Sequence, residues 1–196
     1  MKMKINYIGI VAGCIAFISL ALPWWTMTFQ ATVPVEFMEV EVSGDISVKL
    51  YDARMSVEAE VLGVSVSVDE SMVDGFSIWY GYVAFALIVI AGVSGIVGSL
   101  IVGKNGKMIL VVAGILALLS IIIFAAGLQN ELSKEAPMPD FPELRLFSSG
   151  VYSVMGVLSM DYSTYLTFGF WLALVAAIIA FISSIKHPVA HRQLRR

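Results

Sequence analysis

The chain is 196 residues long, with 59% apolar residues, only 14% charged ones and a formal net charge of −3. Soluble domains average roughly 45–50% apolar and about 25% charged residues, so the composition excludes an ordinary water-soluble globule and predicts a membrane protein. At this length there is room for a few spans of about 20 residues and one small water-exposed domain, and the slightly acidic balance offers nothing for nucleic acid.

The first element, residues 1–22, is expected to be a transmembrane helix, since Ile5 to Leu22 carries no Asp, Glu, Lys, Arg or His. "VAGC", Val11 to Cys14, resembles the lipobox of bacterial lipoproteins. Only about half a dozen apolar residues precede it, against roughly 7–15 in a signal core, and the apolar run continues past Cys14, so a retained helix is expected. Pro23 ends it, and Trp24 and Trp25 follow where indole rings favour the headgroup layer.

Residues 23–79 read as a β-rich outer loop. In "FMEVEVSGDISVKLY" the apolar residues Met38, Val40 and Val42 alternate with Glu39 and Glu41, Ser43-Gly44-Asp45 intervenes, and Ile46, Val48 and Leu50 follow. This predicts a hairpin turning at Ser43–Asp45. Val57, Ala59 and Val61, then Gly63, then Val64, Val66 and Val68 predict a second hairpin or a bulge. With Thr26 to Val33, four or five antiparallel strands are expected.

Uncharged stretches at 80–102, 108–128 and 165–185 predict three more transmembrane helices, joined by a short turn at 103–107 and a second outer loop at 129–164. In that loop "APMPDFPELRLF" favours extended, unpaired chain, and "RLFSSGVYSVMGVL" has strand character that completes the sheet. Residues 186–196 form a basic tail. Trp79 and Trp171, with Trp24 and Trp25, are expected in an aromatic belt at the membrane interface.

Charge placement orients these elements. The amino terminus, the 103–107 turn and the tail hold eight Lys and Arg residues and no acid, whereas the two long loops hold all fifteen carboxylates against four basic residues. Because Lys and Arg beside helix ends resist translocation, both termini are expected in the cytoplasm of a plasma-membrane protein, with loops 23–79 and 129–164 extracellular.

The spans contain no ionisable residue of the kind that proton relays, coupled transporters and voltage sensors use. They do contain small residues at helical spacing, among them Gly9 and Gly13; Ala91, Gly95 and Gly98; Ala113 and Ala117; Gly169, Ala173 and Ala177. These predict close helix packing in a four-helix bundle. "GSLIVGKN", Gly98 to Asn105, approaches a phosphate loop, but Asn105 replaces the hydroxyl residue inside a membrane context. His187 and His191 flank Pro188 in the basic tail and are expected to be solvated. The outer loops have no histidine or cysteine, so no catalytic residue, cofactor or metal site is expected and the chain is read as non-enzymatic. Asp69, Glu70 and Asp74 in "VDESMVDG" are weak candidates for calcium.

Four helices, cytoplasmic ends, a β-rich first outer loop, a shorter second one and Trp25 just after the first helix together resemble the claudin-like tetraspan superfamily, by architecture. The family's GLW segment and paired cysteines have no counterpart in this chain. The resemblance implies an extracellular sheet built mainly by the first loop and a role in cell-surface contact or in modulating a larger membrane complex. The expected function is that of a structural or accessory membrane subunit using its acidic β-domain for protein contacts, with the lipid bilayer and a membrane protein or a second copy as partners. Alternatives are a small channel or carrier formed by oligomerisation, or a non-catalytic subunit of a membrane enzyme.

Overall fold

The computed structural model describes residues 5–35, 38–61, 64–71, 78–134, 145–154 and 158–187. In chain order the elements are α1 (Tyr7–Ala21), β1 (Trp25–Val35), β2 (Met38–Val48), β3 (Ala53–Val61), β4 (Val64–Ser71), α2 (Trp79–Leu100), α3 (Lys104–Lys134), β5 (Ser148–Val154), β6 (Leu158–Leu166) and α4 (Phe168–Ile185). They form two compact units. One comprises Met1–Leu22, Val83–Ile123 and Gly169–Arg196, the other Pro23–Tyr82 and Phe124–Phe168.

In the helical unit, α2, α3 and α4 are long and apolar enough to cross a membrane, whereas α1 is a shorter apolar helix. Its 15 residues rise about 22 Å, less than the roughly 30 Å hydrocarbon core that the predicted Ile5–Leu22 span was to cross. Both ends have local causes. Asn6 lies outside the helix, and Leu22 is extended, the conformation favoured in a residue before proline.

All ten small residues named above are buried. A Cβ on Gly13 would lie 2.7 Å from the Gly92 carbonyl oxygen, so the backbones of α1 and α2 approach through this glycine. The opposite faces expose Val93, Val97, Ile115, Ile122, Ile178 and Ile182, giving this unit an apolar exterior as well as an apolar interior.

Three helix limits, the two ends of α3 and the start of α4, differ clearly from expectation. Helix α3 occupies most of the predicted 103–107 turn and continues beyond Leu128 to Lys134; the turn contracts to the residues around Gly103, whose φ of 104° suits glycine. Polarity ends a hydropathy window but not a helix, and Leu128 and Leu132 are buried in the sheet unit, which holds the last turns in place. Helix α4 starts at Phe168 instead of Tyr165 because Tyr165 and Leu166 pair with Thr26 and Trp25 as the end of β6.

The sheet is entirely antiparallel, in the order β4-β3-β2-β1-β6-β5. The first loop supplies four strands and the second supplies two, one more than its predicted single strand. The hairpin expected at Ser43–Asp45 is not there: β2 runs straight through, with Ser43, Gly44 and Asp45 opposite Gln30, Phe29 and Thr28. The physical reason is phase. Met38, Val40, Val42, Gly44, Ile46 and Val48 keep the two-residue period across Gly44, so no side chain changes face. Gly44 is required by a close approach instead, since a Cβ would strike the Phe29 ring and sit 2.5 Å from the Ser56 carbonyl oxygen. The second hairpin is present, with Val61 opposite Val64. Most of "APMPDFPELRLF" and the predicted break at Gly63 lie outside the described residues.

One face of the sheet is apolar. Trp25, Met27, Val48, Ala53, Tyr162 and Leu166 are buried on it. Beside it Trp24 is fully buried, its ring 5.1 Å edge-on from Phe124, and Tyr80 lies 5.9 Å from the same phenylalanine. Trp24 also ties the unit together through its backbone, donating to the Val48 carbonyl at 2.8 Å and accepting from the Thr167 amide at 3.1 Å. The Trp25 indole Nε1 donates to the Leu146 carbonyl at 3.3 Å. Both indoles expected in an interfacial belt are therefore core residues of the sheet unit, while Trp79 and Trp171 are 58% and 47% exposed.

Candidate binding face of the sheet

Directly paired residues in an antiparallel sheet share a face, so the register identifies what the other face carries. One row reads Asp69, Ser56, Asp45, Thr28, Ser163, Ser149 across β4, β3, β2, β1, β6 and β5. The next reads Ser67, Glu58, Ser43, Gln30, Asp161, Val151. Alternation places nearly every hydroxyl and carboxylate of these strands together, on the side opposite Trp25 and Met27.

The middle of this face is a depression of about 540 Å³. Its wall contains the carboxylates of Asp45, Glu58 and Asp161 and the hydroxyls of Thr28, Ser56 and Ser163. Asp45, Thr28, Ser56 and Ser163 are partly buried, whereas Glu58 and Asp161 are exposed. No Lys, Arg or His lines it among the described residues. Arg54, one row away, is engaged with Asp52 through an Nε–Oδ2 ion pair of 2.7 Å. Carboxylates flanked by hydroxyls present many acceptors and a few rotatable donors, which suits ammonium and guanidinium groups.

Two of the three calcium candidates, Asp69 and Glu70, do not converge. Asp69 and Glu70 are neighbours on β4, opposite Ser56 and Met55 respectively, so their side chains leave on opposite faces. Asp74 lies outside the described residues, among which no group of three His, Cys, Asp or Glu side chains is placed to hold a metal.

A second polar assembly, in the helical unit, revises the expectation for His187, which is 4% exposed and not a solvated tail residue. Its Nε2–H donates to the Ile101 carbonyl at 2.8 Å; a carbonyl only accepts, which assigns the proton to Nε2. Nδ1 then accepts from the Asn6 amide at 3.1 Å, and the same Asn6 Nδ2 donates to the Ser183 carbonyl at 3.0 Å. The Asn6 backbone N–H donates to the Ser99 carbonyl at 3.1 Å. The start of α1 and the ends of α2 and α4 are thus joined by polar groups that satisfy one another. Asn6, a polar residue within an otherwise apolar run, was the available signal. His191 lies outside the described residues.

Compared with known proteins, the chain matches no family model and no curated protein. Fold and face define its class from within: an α+β chain with, among the described residues, a six-stranded antiparallel sheet and three helices apolar enough to cross a membrane.

Proposed function

We propose that this chain is a non-enzymatic integral membrane protein of the cell surface, a structural or accessory subunit that uses the polar face of its sheet to contact other proteins. The observation that carries the reading is the segregation of the sheet: carboxylates and hydroxyls gather on one face around a depression lined by no Lys, Arg or His among the described residues, while the long helices expose apolar side chains such as Val93, Ile115, Ile122 and Ile178. The expected orientation, with both termini cytoplasmic and residues 23–79 and 129–164 extracellular, follows from the separation of basic and acidic residues. The architectural resemblance to claudin-like tetraspan proteins, with four apolar segments and a strand-rich first outer loop, supports the same reading.

Orientation is tested by cysteine labelling. Cys14 is exposed and is first replaced by serine. A cysteine at Asp45 should then react with an impermeant maleimide on intact cells, and one at Asn105 should react only after permeabilisation; the reverse pattern would invert the protein. The contact role is tested by co-purification from native membranes. Combined Asp45→Asn, Glu58→Gln and Asp161→Asn substitutions should reduce recovery of the major partner about ten-fold while leaving the melting temperature nearly unchanged, as expected where charges on a solvated face bring partners together more than they stabilise the fold. Undiminished recovery would remove this face from the interaction.

A further inference from the structure

Helix α3 begins with two lysines and continues as an apolar helix. Lys107, Met108, Val111 and Val112 lie three, four, seven and eight positions after Lys104, the spacing that puts side chains on one helical face. Together they line an open groove of about 470 Å³. Met108 and Val112 are 59% and 48% exposed, and both lysines are exposed with no ion pair among the described residues. No acid occurs in residues 1–4, 103–107 or 186–196, so nothing in these segments competes for the lysines. The groove is divided along its length. Cations occupy its first turn, and apolar walls extend one to two turns further, about 12 Å from Lys104 to Val112.

We propose that this groove binds one anionic phospholipid, its phosphate held between the ammonium groups of Lys104 and Lys107 and the upper part of an acyl chain lying along Met108, Val111 and Val112. The inference rests on the membrane reading above. A charged head joined to a hydrocarbon tail matches the division of the groove, whereas a soluble phosphate would use only the lysines and an apolar partner helix only the valines. Each lysine at a membrane surface contributes about 1 kcal/mol towards an anionic lipid, or roughly a factor of five, so two predict a preference of roughly twenty-five-fold over a zwitterionic lipid of the same tails. Part of that preference is screened as salt rises.

The test uses the full chain in detergent, with lipid retention read by native mass spectrometry and stability by thermal unfolding. Dioleoylphosphatidylglycerol should bind with one-to-one saturation and raise the melting temperature; dioleoylphosphatidylcholine should do so roughly twenty-five-fold less well. Glycerol 3-phosphate, the head without the tail, should have no effect at the same concentration. Lys104→Gln with Lys107→Gln should abolish the preference, Val112→Gln should weaken retention of both lipids, and Lys104→Arg with Lys107→Arg should keep the preference, which separates lost charge from misfolding. Equal binding of the two lipids, an equal effect of glycerol 3-phosphate, or a preference that survives the double glutamine variant would each overturn the proposal. Flotation with phosphatidylcholine vesicles distinguishes the two levels: a chain that does not float refutes the membrane reading and this inference together, while one that floats without lipid preference refutes this inference alone.

Discussion

Trp24→Ala is expected to destabilise the sheet unit by about 3–5 kcal/mol, and Trp79→Ala by only about 1 kcal/mol. Trp24 is fully buried and its ring meets Phe124 edge-on, so truncation leaves a cavity the size of an indole beside residues held in place by sheet and helix. Trp79 is 58% exposed and loses mainly its edge contact with Tyr80, whose ring centroid is 6.1 Å away. Chemical unfolding in detergent, followed by near-ultraviolet circular dichroism, reads both. Equal costs would mean that Trp24 serves as an interfacial anchor and not as core.

The second large effect separates two glycines that look equivalent in the sequence. Gly13→Ala should cost about 1–3 kcal/mol, because its new methyl meets the Gly92 carbonyl oxygen at 2.7 Å and a backbone atom cannot rotate aside. Gly95→Ala should be nearly neutral. Its nearest neighbours, the Gly13 Cα and N and the Gly9 carbonyl oxygen, all lie 3.4 Å from where the Cβ would be, an ordinary contact distance. Gly95→Leu has no such room and should resemble Gly13→Ala or exceed it. Thermal unfolding of the three variants in one detergent ranks them; a neutral Gly13→Ala would show that α1 and α2 do not meet there.

Much of this architecture was legible because its signals are periodic. Alternation exposed the strands of the first loop, and small residues at helical spacing marked the faces that are buried. What misled was punctuation. Ser43-Gly44-Asp45 has the composition of a turn, yet the apolar phase on either side is continuous, and phase is the stronger signal since a real turn seldom preserves it by chance. The tryptophans after Pro23 have the composition of an interfacial belt, but a belt and a core both favour indole, and sequence does not say which side of the backbone is covered. Alternation through Met160, Tyr162 and Thr164 is likewise the signal of a strand, inside the stretch read as outer loop and helix start. The polar face was legible as alternate Ser, Thr, Asp and Glu on separate strands; its depression was not, because Asp45, Glu58 and Asp161 meet only through the register of β3, β2, β1 and β6. His187 and Asn6 stand at opposite ends of the chain, and no local pattern joins them.

The central pairing of the sheet has a consequence for how the chain is made. Strand β1 takes β2 on one side from the residues that follow it, but on the other it takes β6, joining Trp25 to Leu166. At about 5–20 residues per second of synthesis, the partner emerges on the order of ten seconds after β1 itself. Throughout that interval a four-stranded half-sheet carries a free edge at β1, one with unpaired amides and carbonyls that any other strand can occupy. The sheet is therefore completed late, when α2 and α3 have already been synthesised, and the vulnerable state in biogenesis is the nascent chain waiting for β6.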